Sequence, residues 1–188
     1  GPKTYKITVV PNDAEMGICT GTATVDYNKD VTITATAKTG YRFLRWNDNN
    51  ANASRNVKVK SDITYTAYFE PLQYTIRFKG ENGADLVSPI TANYNTIPVY
   101  PGETPTKAST PKYTYTFNGW NPPIAKVTGN ATYTVQFAST INKYTISFVN
   151  YDDSPLQTSE VEYDAEPLYN GATPTRPGTA KYTYSYKG

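Results

Sequence analysis

Acidic side chains are the first candidates for chemistry in this sequence, because two facing carboxylates can cleave a glycosidic bond. They cluster at Asp152-Asp153 and in the group Glu160, Glu162 and Glu166. Glu160 and Glu162 alternate along a predicted strand, so their side chains share one face, which we expect to be in solvent. The pattern favours a solvated strand face over a catalytic pair.

The other usual catalytic groups are nearly absent. The sequence has no histidine, which removes the commonest general base, Ser–His and Cys–His nucleophile pairs and imidazole metal ligands. Cys19 is the single cysteine, and a nucleophilic thiol would need a nearby cation to lower its pKa. With Gly17 and Gly21 beside it, we expect Cys19 to be a small packing residue. The sequence therefore predicts no catalytic residue and no enzyme.

A run of oxygen-bearing side chains, Asn47-Asp48-Asn49-Asn50-Ala51-Asn52, could bind a metal ion. Its spacing begins like a calcium loop, but Ala53 stands where the sharp turn needs glycine. Val59 stands where the loop needs a bidentate glutamate. We expect a solvated Asx turn here, with a looser Ca²⁺ site as the alternative. No metal and no cofactor is predicted.

Exposed aromatic rings could stack on a sugar, and two tryptophans invite that interpretation. Trp46 and Trp120 each follow an inward-facing tyrosine and phenylalanine at a fixed step, which favours a place in a core. Tyr68, Tyr100 and Tyr169 are expected at the surface and are better candidates for contact with a glycan or protein. The ligand-binding residues stay unknown at this level.

The composition favours β-strands. Of 188 residues, 14% are aromatic and 18 are tyrosine, while valine and isoleucine occur in short runs among many threonines. These residues suit a pleated, half-buried surface. Tyr5, Ile7 and Val9 alternate with polar residues, as expected for a strand with one buried face. We predict a mainly β fold with little or no helix, and an irregular or briefly helical segment from Ile97 to Pro111.

The charge and hydropathy patterns exclude two classes of partner. The net charge is +2 and the basic residues are spread evenly, so there is no basic stripe for nucleic acid. No run of about 18 apolar residues occurs, so we predict no membrane span in this sequence.

The sequence repeats itself. The segment that starts at Tyr74 recurs at Tyr144, an offset of 144 − 74 = 70. Further matches, such as Tyr100 with Tyr169 and Lys112 with Lys181, are offset by 69, so one residue has been lost between them. Such internal repetition indicates an array of similar modules.

The repeats predict three tandem modules, at residues 1–71, 72–140 and 141–188. The first is a distant relative, in which residues 40–46 are matched with residues 114–120. The third resembles only the first two thirds of the second, because Gly188 aligns with Gly119 and the closing strand has no counterpart. We therefore expect the third module to be truncated and either less ordered or completed by strand pairing with a neighbouring molecule.

The pattern Tyr-Thr-Ile-x-Phe, a proline-rich middle, Tyr-x-Phe-x-Gly-Trp and Thr-Tyr-x-x-x-Phe resembles the Listeria–Bacteroides repeat, the internalin B-repeat. Residues 72–140 match it throughout, 141–188 match its first two thirds, and 3–71 resemble its divergent branch. The resemblance implies small β-grasp-like modules in secreted or surface-anchored bacterial proteins, and it carries over no catalytic residue.

Two functions follow as hypotheses. The first is a non-catalytic extracellular segment of a bacterial surface or secreted protein, an adhesive stalk or spacer with weak multivalent binding to a host protein or glycan. The alternative is a carbohydrate-binding accessory region of a secreted glycan-degrading enzyme.

Overall fold

The structure is a computed structural model that describes residues 1–187, and within that range it contains strands and loops but no helix. Gly188, the residue aligned with Gly119, lies outside the described residues. The strands are β1 (Thr4–Pro11), β2 (Gly17–Thr20), β3 (Ala23–Asp26), β4 (Lys29–Ala37), β5 (Tyr41–Trp46), β6 (Ser54–Val59), β7 (Ile63–Pro71), β8 (Gln73–Lys79), β9 (Ile90–Asn93), β10 (Tyr113–Asn121), β11 (Ala131–Ile141), β12 (Lys143–Val149) and β13 (Pro155–Glu162). The predicted mainly β fold is confirmed.

The N-terminal third contains two sheets. One has the order β3-β1-β7-β5, in which β1 and β7 run parallel, with Ile7 opposite Ile63 and Val9 opposite Tyr65. The other has the order β2-β4-β6 and is antiparallel. Alternate side chains of each strand point between the sheets, which is why the predicted face of β1 is buried.

The space between these two sheets holds the first buried cluster. Trp46, Ile7 and Ile33 have no exposed surface. Phe43 contacts the Trp46 ring edge-on, with 5.5 Å between centroids. The buried members are Ile7, Val9, Ile33, Ala35, Trp46, Val57, Val59, Ala67 and Phe69. Burying this much apolar surface is the main source of stability for so small a unit.

The middle of the chain repeats the first sheet. Its strand order is β9-β8-β11-β10, which corresponds to β3-β1-β7-β5, and β8 runs parallel to β11. A second sheet is not formed between residues 94 and 112, where the chain is irregular, as predicted for Ile97 to Pro111. A second, separate cluster forms here from Ile76, Phe78, Val127 and Tyr133.

The last strands form a two-stranded antiparallel hairpin, β12–β13. Its apolar residues Ile146 and Phe148 are only half-buried, whereas their counterparts Ile76 and Phe78 are buried completely. The sequence predicts a third small interior. Within residues 1–187, however, the buried apolar side chains are those of the two clusters above and Val135 on β11, and none of them lies on the β12–β13 hairpin.

The contacts within the chain define two compact units. One contains residues 1–102 and 120–135, and the other contains residues 103–119 together with those from 136 onward. The module limits proposed from the repeats, at residues 71 and 140, stay a prediction.

Candidate functional site

The first candidate site is a connection between β7 and β8, which we call the first junction (Gly40, Tyr41, Leu72 and Tyr94). The Leu72 N–H donates to the Gly40 carbonyl, and the Leu72 carbonyl accepts from the Tyr94 N–H, both at 2.8 Å. The Tyr94 ring lies edge-on to Tyr41, with 5.4 Å between centroids. Gly40 has φ +84°, and a side chain there would overlap the Tyr94 ring, so the position requires glycine.

An equivalent connection lies between β11 and β12, the second junction (Lys112, Tyr113, Asn142 and Tyr163). The Asn142 N–H donates to the Lys112 carbonyl at 2.8 Å, and the Asn142 carbonyl accepts from the Tyr163 N–H at 2.9 Å. The Lys112 ammonium lies 5.7 Å from the Tyr113 ring centroid and 5.9 Å from that of Tyr163. Both junctions therefore have the same pair of backbone hydrogen bonds.

The second junction has additional hydrogen bonds from the Asn142 side chain. Its Nδ2 donates to the carbonyls of Thr110, at 2.8 Å, and Pro111, at 3.0 Å. Its Oδ1 accepts from the Thr114 hydroxyl at 2.7 Å. Leu72 cannot make these bonds, so the second junction relies more on polar contacts than the first.

A charge pair closes the second junction at its exposed side. The Lys112 ammonium donates to the Asp164 carboxylate at 3.0 Å. This hydrogen bond and the charge of Asp164 raise the pKa of Lys112. Because the ion pair is exposed, it orients these two segments of the chain more than it stabilises them.

The acidic residues considered for catalysis lie at the surface. Glu160 accepts a hydrogen bond from the Thr145 hydroxyl, and Glu162 pairs with Lys143 at 3.6 Å. Asp152 lies in the turn between β12 and β13, where hydrogen bonds from Ser154 lower the pKa of its carboxyl. The structure does not bring these carboxylates together across a cleft.

The oxygen-rich run of residues 47–52 forms the turn after β5. Asp48 and Asn50 each accept a backbone N–H two residues on, from Asn50 at 3.2 Å and Asn52 at 2.9 Å. The Asp48 carboxylate also pairs with Arg55 at 2.5 Å. Partial burial alone would raise the pKa of Asp48, but the hydrogen bonds from Arg55 and the Asn50 backbone lower it. The side chains thus serve the turn itself.

Among residues 1–187, no group of three or more acidic or cysteine side chains is placed to hold a metal ion. Within the same residues, no helix has the length and apolar character needed to cross a membrane.

Cys19 lies on β2 opposite Ala35 and packs against the first buried cluster. It is half-buried, and burial raises the pKa of its thiol. A raised pKa lowers the thiolate fraction at neutral pH, which is the reverse of what a nucleophilic cysteine needs.

The tryptophans lie in or against the two clusters. Trp46 is completely buried, and its indole N–H donates to the Asn52 carbonyl at 2.9 Å. Trp120 is half-buried against the second cluster, 4.9 Å from the ring centroids of both Phe78 and Tyr100. These contacts occupy the rings as packing elements.

The three tyrosines expected at the surface differ in the structure. Tyr100 is half-buried against Phe78, and Tyr169 is half-buried against Phe148, with centroids 5.1 and 5.3 Å apart. Tyr100 therefore extends the second cluster, and Tyr169 packs on Phe148 of the β12–β13 hairpin, so both rings are used in packing. Tyr68 is exposed, and the Arg45 guanidinium lies 4.7 Å from its ring centroid.

Leu72 and Asn142 were not predicted from the sequence as functional residues. Each lies two residues before a tyrosine that opens a repeat, and the two are 70 residues apart (142 − 72). This constant offset is the sequence signal for their equivalent positions. The two side chains differ in chemistry, so they do not indicate a common role. That role uses only the backbone N–H and carbonyl groups.

Comparison with known proteins bears on the N-terminal third. Residues 5–73 match the family model described as the divergent InlB B-repeat domain, which confirms the resemblance assigned to residues 3–71. No match was found among curated proteins. Among solved structures, Streptococcal High Identity Repeats in Tandem (SHIRT) domains 3–4 from a cell surface protein share 14% identity. The alignment covers 73% of this chain and 98% of that chain, with a TM-score of 0.30.

Proposed function

We propose that this chain, whose residues 5–73 are a divergent InlB B-repeat domain, is a non-catalytic spacer segment of an extracellular bacterial surface protein. Its work is to hold apart the parts of the protein on either side of it. In this proposal the chain acts through repeated folded modules and not through a single binding or reactive centre.

The observation that carries the proposal is the repeated junction. Leu72 and Asn142 make the same pair of backbone hydrogen bonds, with distances of 2.8 to 2.9 Å. A flexible linker would need no such bonds, whereas a spacer benefits because each bond limits rotation between adjoining strands. The two separate buried clusters support the same proposal, since the N-terminal third and the middle of the chain each pack an interior of their own.

A carbohydrate-binding accessory role is the weaker candidate. Two of the three tyrosines considered for it, Tyr100 and Tyr169, are used in packing. Tyr68 alone keeps an exposed ring, next to Arg45. Weak contact of Tyr68 with a host protein or glycan is compatible with a spacer and is tested separately below.

The experiment varies the number of modules between a cell-wall anchor and a distal epitope tag. Deleting residues 72–141 places Asn142 at the position of Leu72, so the junction is retained while 70 residues (141 − 72 + 1) are lost. Duplicating the same residues adds one module. A large antibody against the tag, applied to capsulated cells, reports how far the tag extends beyond the cell surface. We expect binding to rise from the deletion to the native chain to the duplication.

The control replaces residues 72–141 with a Gly/Ser linker of equal length, which behaves as a random coil with no fixed end-to-end distance. Its compact conformations leave the tag below the capsule surface for part of the time, so antibody binding should be lower than that of the native chain. Equal binding in all forms, together with loss of host-cell attachment in Tyr68→Ala, would contradict a spacer and favour an adhesive site.

A further inference from the structure

The first and last strands of the N-terminal third are neighbours in one sheet. β1 and β7 run parallel, from Ile7 opposite Ile63 to Pro11 opposite Ala67. In the strand order β3-β1-β7-β5 they are the two central strands. Neither strand can therefore be peeled from an edge of the sheet, because each has a neighbouring strand on both sides.

This strand order determines how a pulling force along the chain acts on the sheet. The force enters β1 at Thr4 and leaves β7 at Pro71, and in a parallel pair these two residues lie at opposite ends. The two strands are thus pulled past each other along their own axes. The hydrogen bonds between them cross the direction of pull, so they share the force and must break together. A force applied at one end of the pair would break the same bonds one after another.

Side chains extend the pairing of β1 with β7 at both ends. The Asp62 carboxylate accepts the Lys6 N–H at 2.7 Å, one residue before the paired segment. At the other end, the Asn12 N–H donates to the Ala67 carbonyl at 2.8 Å. The Asn12 side chain accepts the Phe69 N–H at 2.9 Å and donates to the Phe69 carbonyl at 3.3 Å. The segment bonded to β7 and the residue before it therefore reaches from Lys6 to Asn12.

Buried side chains oppose the same sliding motion. Ile7 and Val9 on β1 and Ala67 and Phe69 on β7 all belong to the first buried cluster. Movement of β1 along β7 would draw these side chains out of their places in the cluster at the same time. Because a close-packed interior has no room for such a shift, apolar packing and hydrogen bonds resist shear together.

The middle of the chain has the same arrangement. β8 and β11 run parallel and are the two central strands of their sheet. The side-chain oxygen of Asn130, which directly precedes β11, accepts the Thr75 N–H at 2.9 Å. Asp62, which directly precedes β7, makes the equivalent bond to Lys6. Aspartate and asparagine differ in charge, so the acceptor oxygen is what the two positions share.

We propose that the parallel pairs β1–β7 and β8–β11 give this chain a mechanical function, in which each pair resists tension along the chain in shear and keeps its sheet folded. A segment of a surface protein meets such tension when flowing liquid pulls on an attached cell. The resistance rests on strand order and pairing and not on the spacer function. Equal antibody binding in the module-number experiment would therefore leave it standing.

The test pulls the full chain in optical tweezers through pairs of cysteines introduced into a Cys19→Ala background. Handles at Lys3→Cys and Gln73→Cys load β1 and β7 in shear. Handles at Lys3→Cys and Lys60→Cys pull at the end where both strands begin, so the bonds open one after another. At equal loading rates we expect a rupture force at least about twofold higher in shear, because many bonds must break in one step.

Asn12→Ala shows whether the far end of the pair shares the force. The change removes both side-chain bonds to Phe69, at the end of β1 remote from Lys60. We expect a lower rupture force in shear. The first rupture with handles at residues 3 and 60 should be unchanged, because the bonds near Asn12 open last in that geometry. A general loss of stability would lower both forces.

Asp62 offers a matched pair of substitutions at the other end. Asp62→Ala removes the bond to Lys6 and should lower the rupture force in shear. Asp62→Asn keeps an acceptor oxygen, as Asn130 does in the equivalent position, and should retain most of the force. Native tryptophan fluorescence reports that each variant is folded before it is pulled.

Three results would overturn the proposal. The first is an equal rupture force in the two pulling geometries. The second is an equal drop in both geometries for Asn12→Ala, which would show that rupture follows overall stability. The third is a loss in Asp62→Asn as large as that in Asp62→Ala.

Discussion

Leu72 and Asn142 hold equivalent positions 70 residues apart (142 − 72). The backbone N–H of each donates to the carbonyl of the residue before a strand that begins with tyrosine, and the backbone carbonyl of each accepts from the N–H of another tyrosine. The distances are 2.8 and 2.8 Å at Leu72 and 2.8 and 2.9 Å at Asn142. One residue is apolar and the other is an amide, so the backbone geometry and not the side chain defines the junction. Side chains then adjust how firmly each junction is held.

Replacing Asn142 by leucine, the residue of the first junction, should loosen the second junction. The change removes three side-chain hydrogen bonds, to Thr110, Pro111 and Thr114. Because these groups are exposed and can bond water instead, we expect a net loss of about 1 kcal/mol. Amide exchange measures it, as roughly fivefold lower protection of the Tyr163 N–H. Protection of the Tyr94 N–H in the first junction is the internal control, and an equal drop there would contradict separate junctions.

Tyrosine substitutions should separate packing from surface roles. Tyr100→Ala removes a ring that contacts Phe78 and Trp120, and we expect a loss of about 2–4 kcal/mol in the stability of that core. Tyr68→Ala, at an exposed ring, should cost less than about 0.5 kcal/mol. Urea unfolding followed by tryptophan fluorescence measures both. Similar losses for the two variants would disprove the distinction.

Glycan-array binding of the folded Tyr68→Ala chain addresses the surface role. If the chain binds a glycan and loses that binding only in this variant, the exposed ring is a contact site. If the native chain binds no glycan on the array, the accessory carbohydrate-binding role is contradicted for this chain.

The stability of the N-terminal third should vary with pH in part because of Asp48. Its folded pKa is lowered below the ordinary value of 3.8, so its contribution to stability is present above that value. The contribution is lost as the pH falls through the folded pKa. For a partly exposed pair with Arg55 we expect less than about 1 kcal/mol. Asp48→Asn should flatten the dependence of stability on pH below about pH 5.

Asp152→Asn is the matched control for this measurement. The pKa of Asp152 is also lowered, by hydrogen bonds from Ser154, but this residue lies in the β12–β13 turn. The substitution should leave the acid unfolding of the Trp46 environment unchanged. An effect equal to that of Asp48→Asn would show that the pH dependence reflects overall charge.

Cys19 should react slowly with alkylating reagents while the chain is folded. Burial raises the pKa of its thiol, so little thiolate is present near pH 8, and the side chain is partly buried. We expect alkylation at least about tenfold slower than in urea. Trp46→Ala, which removes the centre of the first cluster, should increase the rate. A rate equal to that of the unfolded chain would contradict the packing role of Cys19.

Much of the fold could be predicted because strand periodicity and internal repetition are local signals. The faces of β1 and β8 follow from alternation, and the place of Trp46 follows from its fixed step after Phe43. Tyr100 and Tyr169 were misplaced at the surface because they lie in irregular chain, where no periodicity indicates which side chains turn inward. Their burial depends on the phenylalanine that each ring contacts, and that contact is set by the tertiary structure.

The alignment of the first and second modules also shows the limit of sequence comparison. It pairs Gly40 with Thr114, but the first and second junctions place Gly40 in the position of Lys112. β10 is longer than β5, and Gly119 within it has φ +91°, a conformation that lets a strand absorb extra residues. An alignment that matches Trp46 with Trp120 is therefore wrong by two residues at the starts of β5 and β10.

The central claim is that successive modules have separate cores, and Trp46→Ala tests it most directly. The substitution removes a completely buried ring and should destabilise the first cluster by about 3–5 kcal/mol. Trp120 is then the only tryptophan, so its fluorescence in urea reports the second cluster alone. We predict that the urea midpoint reported by Trp120 fluorescence stays unchanged. Circular dichroism should show that part of the strand structure is lost at a lower urea concentration than in the native chain. A Trp120 midpoint that falls together with the early transition would show one shared core and contradict the account.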